Sequence, residues 1–130
     1  MIVDSSAVVA ILANEPEAEE FSGKVVAAKV CRMSVANFFE AAIVLDSKRS
    51  AAISRKLDDL VRRAEIHLTA VDETQARIAR EAYRDFGKGS GHKAQLNFGD
   101  CFAYALAKTL NEPLLFKGND FSHTDVRPAL

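Results

Sequence analysis

The sequence predicts an α/β fold, a single domain with a mainly parallel central sheet that is covered by helices on both faces. Short apolar segments alternate with segments that have helix caps and helical periodicity, and strands separated by helices pair in parallel. The chain has 130 residues and 48% of them are apolar, which is the usual size of one domain with its own core. No repeat, low-complexity tract or linker divides the chain, so we treat residues 1–130 as a single domain.

The first elements are defined by one apolar strand and one proline. Serine is a good N-cap, and proline disfavours helical backbone at the residue before it, so the helix after the first strand is expected to end before Glu15-Pro16. The predicted elements are a strand at residues 1–3, a helix from Ser5 or Ser6 to about Asn14, and a helix at about 17–28.

The middle of the chain contains two consecutive helical segments with no strand between them. Ser34 is a good N-cap directly before an apolar run, and Asp72 has the same role before an amphipathic segment. The predicted elements are a strand at 30–33, helices at 35–47 and at about 50–64, a strand at 66–71, and a helix at 72–86.

The last part of the chain begins with a glycine-rich loop, GKGSGHKAQ, which holds three of the six glycines. Asn97 is an N-cap for the next helix, which is expected to run through Thr109. The predicted strands after it are a buried strand at 113–116 and an edge strand at 125–127.

Composition excludes some classes of protein. A net charge of −1 leaves no excess of Lys and Arg for binding nucleic acid through bulk charge. The first residues, MIVDSSAVVAILANE, have no basic leader and carry an early Asp4, so we expect neither a signal peptide nor a membrane span, and a cytoplasmic protein. Cys31 and Cys101 lie in apolar surroundings without metal-type spacing, which indicates buried, reduced thiols.

Acidic residues are predicted to gather at one edge of the sheet. Asp4 directly follows the first strand and Asp120 follows the strand PLLF by four residues, and carboxyl ends of parallel strands share one edge. Asp100 is at position N3 of the helix capped by Asn97, where free backbone N–H groups favour an ionised carboxylate.

Glu40 is unusual because apolar side chains surround it in FFEAAIVL, so its carboxyl group needs a raised pKa or a cationic partner. A divalent cation such as Mg²⁺ or Mn²⁺ would offset the repulsion among four carboxylates, and these ions prefer oxygen ligands. Taken singly, each acid also fits an ordinary role: Asp4, Asp100 and Asp120 as cap or turn residues, and Glu40 as half of a salt bridge.

The chain as a whole resembles the PIN-domain ribonucleases of the VapC toxin type. The segments that carry the resemblance, in order, are IVDSSAVVAIL, SVANFFEAAIVL, FGKG, LNFGDCFAYALAK and PLLFKGNDF. The resemblance implies a three-layer α/β/α PIN fold with an acidic pocket that holds one or two Mg²⁺ or Mn²⁺ ions and cleaves RNA. It makes Asp4 and Asp100 the principal metal ligands, Glu40 the third acid and Asp120 the fourth. Small polar residues are expected to support the pocket, namely Ser5, Ser6, Asn97 and Asn119.

The resemblance also implies partners, namely a second copy of the chain in a homodimer and a cognate VapB-type antitoxin. The apolar segments FFEAAIVL and AVVAIL are candidates for extra apolar surface. Two alternatives stay open: a receiver-like phospho-acceptor domain, for which Asp72 is the candidate acceptor, and a non-catalytic binding module with the same fold.

Basic residues near the glycine-rich loop are candidate RNA contacts. Arg84 ends a helical series with Arg77 and Arg80, and Lys88 and Lys93 lie in the loop before the helix of Asp100. The alternative is an ordinary solvated helix face.

Overall fold

The computed structural model describes residues 1–130 and contains one parallel four-stranded sheet, which confirms the predicted α/β class. Its strands are β1 (Ile2–Val3), β2 (Cys31–Ser34), β3 (Ile66–Thr69) and β4 (Leu114–Leu115). They lie in the order β3-β2-β1-β4, and every neighbouring pair is parallel. The carboxyl ends of the neighbouring strands β1 and β4 therefore point to the same edge of the sheet.

Six α-helices surround the sheet: α1 (Ser5–Leu12), α2 (Ala18–Ala27), α3 (Val35–Asp46), α4 (Ala51–Arg63), α5 (Glu73–Phe86) and α6 (Phe98–Leu110). Ser34, Asp72 and Asn97 are the N-caps of α3, α5 and α6, as predicted, because each side chain accepts a hydrogen bond from the first turn. Asp72 caps α5, and α4 follows α3 with no strand between them. Both observations count against the receiver-like alternative. None of the helices combines the length and apolarity needed to cross a membrane.

The predicted cap of α1 was wrong. Asp4, rather than Ser5 or Ser6, is the N-cap, and its carboxylate accepts a hydrogen bond from the Ser6 backbone N–H at 2.9 Å. The physical reason is that α1 already begins at Ser5, so Asp4 is the last extended residue before the helix and its side chain lies above the first turn of α1.

The ends of two predicted strands also differ. The strand predicted at 66–71 ends at Thr69. No strand forms at 125–127; the edge pairing is a single bridge between Leu114 and Pro128. Backbone hydrogen bonds join Leu114 to Arg127 and Ala129 at this bridge, and Asp125 accepts hydrogen bonds from Tyr104 and Lys108 of α6.

Alternating residues of the short strands β1 and β4 face the two cores, which gives the three-layer α/β/α arrangement. Ile2 and Leu114 pack with α5 and α6 in one apolar cluster. Val3 and Leu115 pack with α1 to α4 in the other cluster. Successive strand residues face opposite sides of a sheet, so two residues per strand are enough for each strand to contact both helical layers. The acidic edge of the sheet then lies between these layers.

Candidate active site

Asp4 lies at the carboxyl end of β1 and is almost fully buried, with 2% of its surface exposed. Its Oδ2 atom accepts hydrogen bonds from the Ser6 backbone N–H at 2.9 Å and from Ser6 Oγ at 2.5 Å. Its Oδ1 atom is buried and has no hydrogen-bond partner. Burial raises the pKa of Asp4 to about 6, the hydrogen bonds from Ser6 oppose this rise, and the charge of Glu40 adds to it.

Asp100 is the third residue of α6 and belongs to a capping box with Asn97. Asn97 N–H donates to Asp100 Oδ2 at 2.8 Å, and Asp100 N–H donates to Asn97 Oδ1 at 2.9 Å. Burial raises the pKa of Asp100 to about 7 against the opposing effect of the Asn97 hydrogen bond, and the charges of Asp4, Asp120 and Glu40 raise it further. All four predicted acids therefore share one electrostatic environment.

Glu40 lies one helical turn after Asn37 on α3 and contacts groups from three helices. Ser5 Oγ donates to Glu40 Oε2 at 2.7 Å, and Asn37 Nδ2 donates to the same oxygen at 3.3 Å. The carboxylate packs on Gly99, where an added Cβ would meet Glu40 Oε1 at 2.2 Å. No lysine or arginine pairs with Glu40, so the salt-bridge alternative for this residue was wrong.

The segment after β4 carries Asn119 and Asp120, and both side chains are exposed. Asp120 begins a 3₁₀ turn (Asp120–His123), while the Asn119 side chain makes no capping hydrogen bond. Lys117 ties this segment to the rest of the site: its backbone N–H donates to Ser6 Oγ at 3.0 Å, and its Nζ atom pairs with Glu15 at 2.5 Å. Asp4 and the segment of Asp120 are thus joined through one serine hydroxyl.

The predicted RNA contacts lie outside this cluster. Arg84 pairs with its neighbour Asp85 on the surface, and Lys88 and Lys93 are exposed with no ion pair. The loop that holds both lysines is closed at its base, because Lys88 N–H donates to Leu96 O and Leu96 N–H donates to Phe86 O. Leu96 is fully buried beside the cap of α6, which fixes where the loop emerges.

Three residues of the site were not found from the sequence. Gly99 and Lys117 have no local signal, since their contacts join segments that are far apart in the chain. Asn37 did have a signal, because a buried amide inside VANFFEAA is as unusual as the glutamate that follows it. The predicted extra apolar surface of AVVAIL was wrong in part: Ala7, Val8 and Ala10 are buried in the core.

The donor set fits a hard divalent cation. It consists of carboxylate and amide oxygens without Cys or His, and it contains a buried carboxylate oxygen, Asp4 Oδ1, that no hydrogen bond satisfies. No three acidic, histidine or cysteine side chains already lie close enough together to hold one ion jointly. Mg²⁺ usually retains several waters and binds through one or two protein carboxylates, so the lack of such a three-residue group does not conflict with the donor set.

The sequence matches the PIN domain family over residues 1–127. It is 55% identical over 130 residues to ribonuclease VapC28 of Mycobacterium tuberculosis, which is 100% of this chain and 98% of that relative. It is 47% identical over 129 residues to ribonuclease VapC42 of the same species, which is 99% of this chain and 98% of that relative.

Solved structures share the fold at low sequence identity. VapC20 of Mycobacterium tuberculosis, described as a sarcin-ricin loop cleaving toxin, has a TM-score of 0.72 at 15% identity and covers 98% of both chains. A toxin-antitoxin complex from Klebsiella pneumoniae has a TM-score of 0.71 at 10% identity, with 95% of this chain and 92% of that chain covered. The family match and the sequence relatives, which span the whole chain, show that the chain belongs to the PIN domain family and, within it, to the VapC ribonucleases.

Proposed function

We propose that this protein is a Mg²⁺- or Mn²⁺-dependent endoribonuclease, the toxin component of a toxin–antitoxin system, that hydrolyses RNA phosphodiester bonds at the acidic cluster. The observation that carries the proposal is the buried Asp4 Oδ1 atom, which has no hydrogen-bond partner, in a cluster where burial and the charges of three neighbouring acids raise the pKa of Asp100 to about 7. A cation would relieve both features. Membership of the VapC ribonucleases supports RNA as the substrate.

Asp4 and Asp100 would hold the metal ion, with Glu40 and Asp120 close by. When bound, the ion would supply positive charge that polarises the scissile phosphate and lowers the pKa of a water molecule. Ser6 fixes the rotamer of Asp4 through two hydrogen bonds, and the capping box fixes Asp100. Glu40, held by Ser5, has one carboxylate oxygen free to orient a water and accept its proton.

RNA reaches this cluster only if its own negative charge is offset. Lys88 and Lys93 are exposed and unpaired, on a loop whose glycines at 89 and 91 adopt positive φ angles of 86° and 83°. Arg84 lies just before this loop, where its pairing with Asp85 is exposed and weak. We assign phosphate contacts to these three cations and no chemistry to them.

The protein is proposed to form a homodimer through an apolar face of α3 and α6. Phe39 is 65% exposed and Phe98 is 77% exposed, and they line a groove of about 600 Å³ together with Ile43, Val44 and Phe102. A contiguous apolar face of this kind on a small domain favours association. The partner that neutralises the toxin is proposed to be a VapB-type antitoxin, as the complex from Klebsiella pneumoniae suggests for a protein of the same fold.

The test is cleavage of structured RNAs by purified, antitoxin-free protein. We expect defined cleavage products with Mn²⁺ or Mg²⁺ and none with excess EDTA. Cleavage that persists in EDTA would contradict the metal-dependent mechanism. RNA binding without cleavage at any metal concentration would favour the non-catalytic binding module instead.

A further inference from the structure

Asn37 is a buried amide that links two helices of the acidic cluster. Its side chain is fully buried, and its Nδ2 atom donates to the Gly99 carbonyl of α6 at 2.9 Å and to Glu40 Oε2 at 3.3 Å. Asn37 and Glu40 are three residues apart on α3, so they occupy the same helix face. The amide therefore connects the Glu40 carboxylate to the backbone one residue before Asp100.

The orientation of this amide is determined by its neighbours. A carbonyl oxygen and a carboxylate oxygen are both acceptors, so the NH₂ group of Asn37 must face them. The Oδ1 atom then points away and is buried with no hydrogen-bond partner. An unsatisfied buried acceptor lowers stability, and this placement is expected where a side chain has a functional role.

The carboxylate of Glu40 is confined on two further sides. Ser5 Oγ donates to Glu40 Oε2 at 2.7 Å. On the other side the carboxylate lies directly on Gly99, where a Cβ would meet Oε1 at 2.2 Å and Cδ at 2.6 Å. Contacts from α1, α3 and α6 thus confine the Glu40 carboxylate to one position beside the N-terminus of α6.

We propose that Asn37 is a positioning residue, which holds the Glu40 carboxylate at the place where it contributes to cation binding, with Gly99 supplying the room. This inference rests on the proposed function, since it assumes that the acidic cluster binds Mg²⁺ or Mn²⁺. Asn37 acts through Glu40 and does not itself contact the substrate.

The first test is the Mn²⁺ affinity of Asn37→Ala, measured by titration calorimetry without RNA. We expect affinity to fall about 10-fold, because losing a group that orients a metal ligand typically weakens binding 10–100-fold. Gln75→Ala is the matched control: Gln75 is also a buried amide with an unsatisfied oxygen, Oε1, but its side-chain NH₂ group donates to the Ala70 carbonyl and to no acid of the cluster. We expect its Mn²⁺ affinity to equal that of the parent.

A double-mutant cycle separates positioning from general loss of structure. If Asn37 acts through Glu40, Asn37→Ala will weaken Mn²⁺ binding in the parent but not further in a Glu40→Ala background. Equal losses in both backgrounds would overturn the inference, and so would parent-like affinity of Asn37→Ala. Parent protein that binds Mn²⁺ but does not cleave RNA would contradict the proposed nuclease and leave the positioning role intact.

Gly99→Ala tests the same arrangement from the other side. The added methyl group needs the space of the Glu40 carboxylate, so we expect weaker Mn²⁺ binding than in the parent. Gly23→Ala is the matched control, because a Cβ at this helical glycine of α2 meets nothing within 4 Å. Unchanged affinity in Gly99→Ala would show that Glu40 is not held where we place it.

Discussion

Asp100 serves two roles that oppose each other in the metal-free protein. It completes the capping box that begins α6, which stabilises the helix as long as the carboxylate accepts from Asn97 N–H. It also lies in a buried acidic cluster that favours its protonated form. Asp100 can serve both roles if a bound cation offsets the negative charge of the cluster.

Replacing Asp100 with Asn separates these roles. The Asn oxygen can still accept from Asn97 N–H, while one charge leaves the cluster. We expect RNA cleavage to fall by more than the roughly 10–100-fold typical of losing an outer partner of a metal site. In EDTA we expect a higher melting temperature than the parent, where each kcal/mol gained corresponds to roughly 3–5 °C for a domain of this size. A large fall in melting temperature would show that Asp100 is mainly a structural cap.

The pH dependence of stability follows from the same two carboxyl groups. The folded-state pKa values of Asp4, about 6, and Asp100, about 7, lie above the ordinary value of 3.8. At pH values between the ordinary and the raised pKa, the folded state therefore binds more protons than the unfolded state does. The free energy of unfolding in EDTA should therefore decrease as the pH rises from 5 to 8. Denaturant titrations across this range measure it, with Asp100→Asn as the control that should show a shallower decrease. Stability that increases with pH in this window would contradict the assignment.

Single residues differ in how far the sequence predicts them. The caps Ser34, Asp72 and Asn97 were predictable because cap chemistry depends on neighbours within three residues. Asp4 and Asp120 were predictable because parallel strands bring their carboxyl ends together, Asp100 because it lies at N3 of a capped helix, and Glu40 because apolar residues flank it. The Asn37 link to Gly99 was not, because it joins positions 62 residues apart and depends on helix packing.

At the scale of elements, the glycine-rich loop leads from the exposed lysines to the helix that carries Asp100. The pairing of Gly87 with Leu96 closes the loop, and Ala94 and Leu96 are buried at its base. Lys88 and Lys93 therefore lie on a short loop whose base is held in place. The loop was predictable from its glycines, but the closing pair was not, since one bridge leaves no periodic pattern.

Replacing Lys88 and Lys93 together with Ala should weaken RNA binding and leave Mn²⁺ affinity nearly unchanged. The dependence of log affinity on log salt should flatten by roughly one to two contacts, because two phosphate-neutralising charges are lost. The measurement is RNA affinity or cleavage rate against RNA concentration at several salt levels. Lys24→Ala with Lys29→Ala, two exposed lysines of or near α2, removes the same charge elsewhere and should keep the parent slope. An unchanged slope in the loop variant would make the loop only a connector.

Short strands illustrate what the sequence leaves open at this scale. β1 and β4 have two residues each, and Leu114 pairs with Pro128 in place of a strand at 125–127. Residue propensities cannot predict where such short strands end, because tertiary hydrogen bonds, such as that between Asp125 and Tyr104, determine the ends.

At the scale of the whole molecule, the apolar face of α3 and α6 lies beside the acidic cluster, since Glu40 and Gly99 line the same groove as Phe39. Dimerisation through this face would bring the active sites of two copies near each other. The apolar character of FFEAAIVL was visible in the sequence, but only the structure separates its buried residues from its exposed ones.

Phe39→Asp should convert the proposed dimer into a monomer, because it puts a charge into the centre of that face. Light scattering after size exclusion should give twice the 14.2 kDa of the chain for the parent and the single mass for the variant. Val26→Asp is the control, since Val26 is 84% exposed on α2, away from the groove, and should leave the mass unchanged. A parent that is monomeric at all concentrations would contradict this interface.

Anomalous scattering from crystals soaked in Mn²⁺ tests most directly whether the acidic cluster is a metal site. We expect a peak at the carboxyl ends of β1 and β4, within direct coordination distance of Asp4 Oδ1 and of the Asp100 carboxylate, and no such peak in Asp100→Asn crystals soaked in the same way. A peak bound to other residues, or none in soaks at a Mn²⁺ concentration that supports RNA cleavage in solution, would contradict the account.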